Sequence, residues 1–141
     1  MSPEIARQMR RCAAEQGNGE AAQALGIDLQ IDGLYKEAME AFQLGVAAGN
    51  ESASSFLEHG FDDSEPTNGL YYLGQQKDLE RVRRYKAIWK VLSSASYASP
   101  KVPEINDIVP LPPAPLPAAS GKQLEMDDAI AQLEQALTLA R

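Results

Sequence analysis

Residues 78–117 read DLERVRRYKAIWKVL (78–92), SSASYAS (93–99) and PKVPEINDIVPLPPAPLP (100–117). The first part has helical spacing behind a capping acid, Asp78. Leu79, Val82, Tyr85, Trp89 and Leu92 trace an apolar stripe, with Arg81, Arg83, Arg84, Lys86 and Lys90 mostly off it. The last part cannot continue that helix, because prolines 100, 103, 110, 112, 113, 115 and 117 each remove a backbone donor and restrain the preceding residue. Interleaved Val102, Ile105, Ile108, Val109, Leu111 and Leu116 are nevertheless too apolar to stand in water. The pattern predicts a basic helix followed by an extended strap laid back over helices made by the preceding residues.

Those helices can be read upstream. Ser2, Pro3 and Glu4 form a helix start, with a hydroxyl cap, proline in the first turn and an acid at the positive dipole end. Ile5, Met9, Cys12 and Ala13 recur at helical spacing up to Gly17, which places the Cys12 thiol on the inward face as a buried, inert group. Glu20 to about Leu29 makes a second helix with Ala21, Ala22, Leu25 and Leu29 inward, closed by Asp32-Gly33. Tyr35–Ala48 makes a third, with Ala38, Ala41, Phe42, Gly45 and Val46 inward, and Glu51–His59 a short fourth. EQGNGEAAQAL aligns with AAGNESASSFL at an offset of 32, pairing Gly17-Asn18 with Gly49-Asn50, Ala21 with Ala53 and Leu25 with Leu57. A period in the low thirties with small residues at helix crossings predicts an all-α fold, an α/α solenoid of two hairpins.

The expected organisation is hairpins over 1–60, an acidic loop and fifth helix over 61–99, the strap over 100–120, and a C-terminal amphipathic helix over 121–141. That last helix carries Met126, Ile130, Leu133, Ala136 and Leu137, and either caps the stack or packs on another molecule as a homo-oligomer contact. Charge follows these divisions. Residues 1–66 hold 12 acids and 4 bases, residues 77–101 hold 2 and 7, and residues 102–141 hold 6 and 2. The net charge of −7 argues against general nucleic-acid binding. One cysteine excludes an internal disulfide, and no run approaches membrane-span length.

The GN-x-x-A-x-x-x-L pattern, met twice after alanine-rich helices, resembles Sel-like repeats, bacterial cousins of the tetratricopeptide repeat, over about residues 5–60. DLERVRRYKAIWKVL with its proline tail is similar to the C-terminal signature of a bacterial family of Sel-like repeat proteins. There an acid-x-x-Arg-x-x-Arg-Tyr helix precedes a "PKVPDID-IVPLPPA-LP" strap. The resemblance implies a place beside type VI secretion phospholipase effectors, as their cognate immunity protein. The chain departs from the family pattern where Ala118-Ala119-Ser120 replaces a Trp-Asp-Gly turn, and in lacking an export or lipidation signal. The implied location is the bacterial periplasm if a signal has been removed, and the cytoplasm for the chain as written.

No residue set has a catalytic pattern, and neither a cofactor nor a metal is expected. His59, the lone histidine, sits where a helix C-terminus welcomes positive charge. Asp127-Asp128 read as helix-start acids, and Asp62-Asp63 as neighbours in one loop. Glycosidase chemistry instead needs two carboxyls held across a cleft. Arg81 and Arg84 either grip phosphate or, in preference, pair with Asp62, Asp63 and Glu65 or with the strap. Tyr71 and Tyr72 are core contacts or partner-facing anchors. The acidic loop interrupts the repeat and is the preferred recognition surface. The expected partner-binding set is thus Asp62, Asp63, Glu65, Tyr71, Tyr72, Arg81 and Arg84, on a non-enzymatic protein that covers a phospholipase effector. The alternative is a scaffold holding a peptide or helix of an envelope or signalling complex.

Overall fold

Asn18 and Asn50, 32 positions apart in sequence, hold equivalent places in the computed structural model, which describes residues 2–62, 65–67, 69–95, 98 and 100–117. Each accepts with its side-chain oxygen from the backbone N–H three residues on, at 2.9 and 2.8 Å, and so caps a helix. Each also donates its own N–H back to the carbonyl five residues earlier, Ala13 and Gly45, closing the preceding helix. The glycine before each lies in the left-handed region, φ +94° at Gly17 and +92° at Gly49, as this closure requires.

The resulting elements are α1 (Pro3–Glu15), α2 (Gly19–Ile31), α3 (Tyr35–Ala47), α4 (Glu51–Gly60), α5 (Leu79–Ser94) and a single turn, α6 (Ile105–Ile108). No strand occurs among the described residues, and the fold is all-α, with α1–α2 and α3–α4 packed as consecutive hairpins. Small residues set their spacing, as expected. A Cβ on Gly45 would stand 2.7 Å from that of Ala53, and one on Gly26 would meet the Phe42 ring. One core runs through Leu25, Leu29, Phe42, Val46 and Leu57 to Tyr85, Ile88 and Leu92, and takes in Ile105 and Val109 from the strap. The strap is therefore docked, not free. α6 adds one helical turn inside it, between Pro103 and Pro110, where six consecutive residues keep their backbone N–H groups.

Two faces differ from the sequence reading. Ile5 and Met9 are 51% and 57% exposed and Cys12 is exposed, while Ala14 is buried and Ala6 and Ala13 are half-buried. The large side chains pointed the wrong way because close approach to α2 selects alanines; the bulkier groups stay outside. On α5 the stripe is rotated. Leu79 and Trp89 are exposed, and the inward face is Arg81, Arg84, Tyr85, Ile88, Val91 and Leu92. That set keeps helical spacing, but two of its members are arginines, which hydropathy places outside. The expected helix over 121–141 lies outside the described residues.

Polar links reinforce the first hairpin. Arg7 donates from Nε to Asp28 at 2.8 Å and from Nη2 to Asp32 at 2.6 Å. The hydrogen bond from Arg7 holds the Asp28 carboxyl below the usual carboxylate range, against a smaller opposing effect of desolvation. A depressed carboxylate pKa adds stability that is present above the unfolded-state value and is lost as pH falls through the folded one. Arg7→Met is accordingly expected to lower the urea midpoint at pH 7. Its deficit should begin to shrink as pH drops below about 4, where the unfolded chain protonates Asp28, and disappear once pH falls through the depressed value in the folded wild type. A deficit constant with pH would trace the loss to side-chain packing instead.

Candidate binding surface

A proline-rich segment brings buried carbonyls into the protein with few N–H groups of its own to satisfy them. Arginine is the complementary side chain, a rigid fork of donors with no acceptor. Arg81 donates to the Pro110 carbonyl from Nε and Nη2 (3.2 and 2.8 Å) and to Ala114 from Nη2 (2.7 Å). Arg84 donates to Ile108 at 2.8 Å and Pro117 at 3.0 Å. Their charges are balanced on the same helix, by Asp78 at 2.7 Å and Glu80 at 2.9 Å. The bonds from Arg83 and then Arg84 outweigh partial burial and hold the Glu80 carboxyl below its ordinary range.

The remaining contacts extend this lattice. Gln43 on α3 donates to Val109 O (2.9 Å) and Asn106 Oδ1 (3.0 Å), and accepts from the fully buried Tyr85 hydroxyl (2.8 Å). Desolvation pushes that hydroxyl's pKa far up, so it stays a donor. The Phe61 ring stacks with Tyr85 at 6.0 Å, and the Arg81 guanidinium lies over it, 5.6 Å from its centroid. Val102 N–H of the strap donates to Ala47 O of α3 at 3.0 Å.

The acidic loop is built differently. Asp78 N–H donates to Phe61 O at 2.9 Å, so residues 62–77 leave and return at one point, as in an Ω-loop. Its second half is pinned inward. Gln30 Nε2 donates to the carbonyls of Leu70 (3.0 Å) and Tyr72 (2.9 Å), Leu73 is buried against Gly60, and Tyr72 meets Tyr35 edge-on at 5.3 Å. Tyr71 stacks on His59 at 4.3 Å and leans on Phe56 at 5.7 Å. His59 Nδ1–H donates to the Ser55 carbonyl at 2.8 Å, which fixes the ring's orientation. Asp62, Glu65, Leu70 and, at the loop's exit, Leu79 are exposed.

The expected partner-binding residues thus fall into two groups. Asp62 and Glu65 face solvent on the loop, with half-buried Tyr71 and Tyr72 at its base, while Asp63 lies outside the described residues. Arg81 and Arg84 are buried and donate to carbonyls of the strap. Gln30 and Gln43 were not singled out in the sequence. A glutamine amid the apolar positions of α2 and of α3 is the signal that marks them. Among the described residues no group of three or more His, Cys, Asp or Glu gathers to hold a metal, and no helix is long and apolar enough to cross a membrane.

A family model described as Domain of unknown function (DUF6396) matches residues 52–135, more than half of the chain, from α4 through the loop, α5 and the strap. No curated protein and no solved structure matches the chain.

Proposed function

This chain belongs to the family described as Domain of unknown function (DUF6396), and we propose that it works by binding another protein rather than by catalysis. The observation that carries this reading is the Ω-loop, closed by the Asp78–Phe61 bond and pinned by Gln30, which holds Asp62 and Glu65 outward. The pinned residues 70–73 are held before a partner is met and lose little further entropy on docking. Carboxylates on such a loop attract a cationic surface and raise the association rate. Leu70 and Leu79 beside them offer apolar area to bury once the charges have met.

The partner in this reading is the one that the Sel-like resemblance implies, a cognate type VI secretion phospholipase effector. The chain is its immunity protein and covers the entrance to its active site. Enzymes acting on phosphodiesters draw anionic substrates, so an acidic prong seated at that entrance competes by charge and by bulk. Arg81 and Arg84 contribute indirectly, by fixing the strap and the helix from which the loop departs.

The test is inhibition of the effector's phospholipase activity in mixed micelles, with association followed by stopped-flow at several salt concentrations. Reversing Asp62, Asp63 and Glu65 to lysine is expected to slow association by at least about tenfold at low salt and to flatten its salt dependence. Inhibition with an unchanged on-rate in the triple variant would remove the loop from the interface. A full-strength effector in the presence of excess protein would refute the immunity reading altogether.

A further inference from the structure

The strap leaves part of the face it covers open. Between α1, α3 and the strap lies a groove of about 360 Å³. Leu25, Leu44 and Ala47 line it from the helices, and Pro103 and Leu111 from the strap. Glu15 on α1 and Glu40 on α3 stand along the same groove, and both are exposed. Neither carboxylate has an ion-pair partner among the described residues. Among the described residues the one base lining the groove is Arg11, which reaches Glu37 at 3.8 Å. An apolar trough is therefore paired with a net negative lip.

From this pairing we infer that the groove is a second binding site, separate from the acidic loop, for a lysine- or arginine-bearing segment of a partner protein. Such side chains are amphipathic, an aliphatic stem carrying a cationic head. The stem lies along Leu44, Ala47 and Pro103, which are partly open to water where Leu25 beneath them is not, and the head reaches the Glu15 and Glu40 carboxylates without leaving water entirely. A purely apolar segment would desolvate both acids without compensation, and an acidic one would meet like charge. The net charge of −7 also makes a second copy of this chain a poor occupant. Because the strap forms one wall, the site exists only with the strap docked, so Arg81 and Arg84 shape it from behind.

The probe is a short capped peptide, acetyl-Ala-Lys-Leu-Lys-Ala-amide, titrated into the full 15N-labelled chain. The expected result is saturable shifts of the Glu15, Leu44, Ala47 and Asn106 amides. Affinity should fall about tenfold in Glu15→Gln/Glu40→Gln, and by at least as much when norleucine replaces both lysines. Both glutamates are exposed, so this variant is expected to fold, and an unchanged circular dichroism spectrum checks it. The proposal is overturned if the double variant binds equally well, or if the shifts fall on residues 62–77. It is also overturned if spermidine moves the groove amides as strongly as the peptide, since charge alone then suffices. Finally, movement of those amides by Lys122→Gln without peptide would make the chain's own C-terminal segment the occupant.

Discussion

Arg84→Met is expected to lower the free energy of unfolding by roughly 2–4 kcal/mol, and Arg81→Met by a similar amount, although arginine-to-methionine changes on a helix surface are ordinarily close to neutral. Arg84 is 3% exposed, and methionine fills much of its volume, so lost packing is not the main term. The cost comes from the acceptors left behind. Removing Arg84 leaves the Ile108 and Pro117 carbonyls without their donor, and removing Arg81 does the same to Pro110 and Ala114. These acceptors are partly buried, and each one left without its donor costs on the order of 1–2 kcal/mol. Lysine, a point donor, cannot span two carbonyls as the guanidinium fork does, so Arg84→Lys should recover less than half of the loss. Urea unfolding measures the size, and proteolysis after Lys101 reports whether the strap is what loosens. A stable Arg84→Met with a protease-resistant strap would mean that apolar burial alone holds the segment.

Gly49→Ala should be markedly worse than Gly17→Ala, even though the two glycines share a repeat position and nearly the same backbone angle. Both have φ near +90°, where an alanine costs about 1–2 kcal/mol. At Gly17 a Cβ meets nothing within 4 Å, so that strain is the whole effect. At Gly49 the Cβ would collide with the carbonyl oxygen of Pro100, a backbone atom at the start of the strap. Relief requires moving the strap and stretching the Val102–Ala47 bond beside it. We expect a total near 3 kcal/mol for Gly49→Ala against about 1 for Gly17→Ala, read from paired urea midpoints. Equal losses would show that the strap yields freely at its start.

The cost of these two substitutions explains how the open surfaces are arranged. The strap occupies inner surface that would otherwise be free to bind. What remains outward is the tethered loop with Asp62 and Glu65, and inward the groove edged by Glu15 and Glu40. Both are acidic. The basic residues of α5 are divided between interior and surface, with Arg81 and Arg84 buried and Lys86 and Lys90 exposed. The bipolar charge seen along the chain is therefore largely internal in α5's first half.

Local features were legible from the sequence wherever neighbouring residues decide the conformation. The caps at Ser2 and Asp78, the glycine stops, the 32-residue repeat that pairs Asn18 with Asn50, and the inward face of α3 all follow from chemistry within a few positions or from the repeat itself. That the proline segment docks also followed, because its apolar residues need cover. The helix faces that meet unusual neighbours did not. The exposure of Ile5, Met9 and Cys12 depends on α1 approaching α2 through alanines, and the burial of Arg81 and Arg84 depends on strap carbonyls 24 to 33 positions downstream. Hydropathy ranks a residue by its own affinity for water. Whether an arginine is buried is decided by acceptors that come near only when the chain has folded. The sequence settled where helices begin and end; the tertiary structure settled which face of each is inside, because only there do the strap's unpaired carbonyls meet their donors.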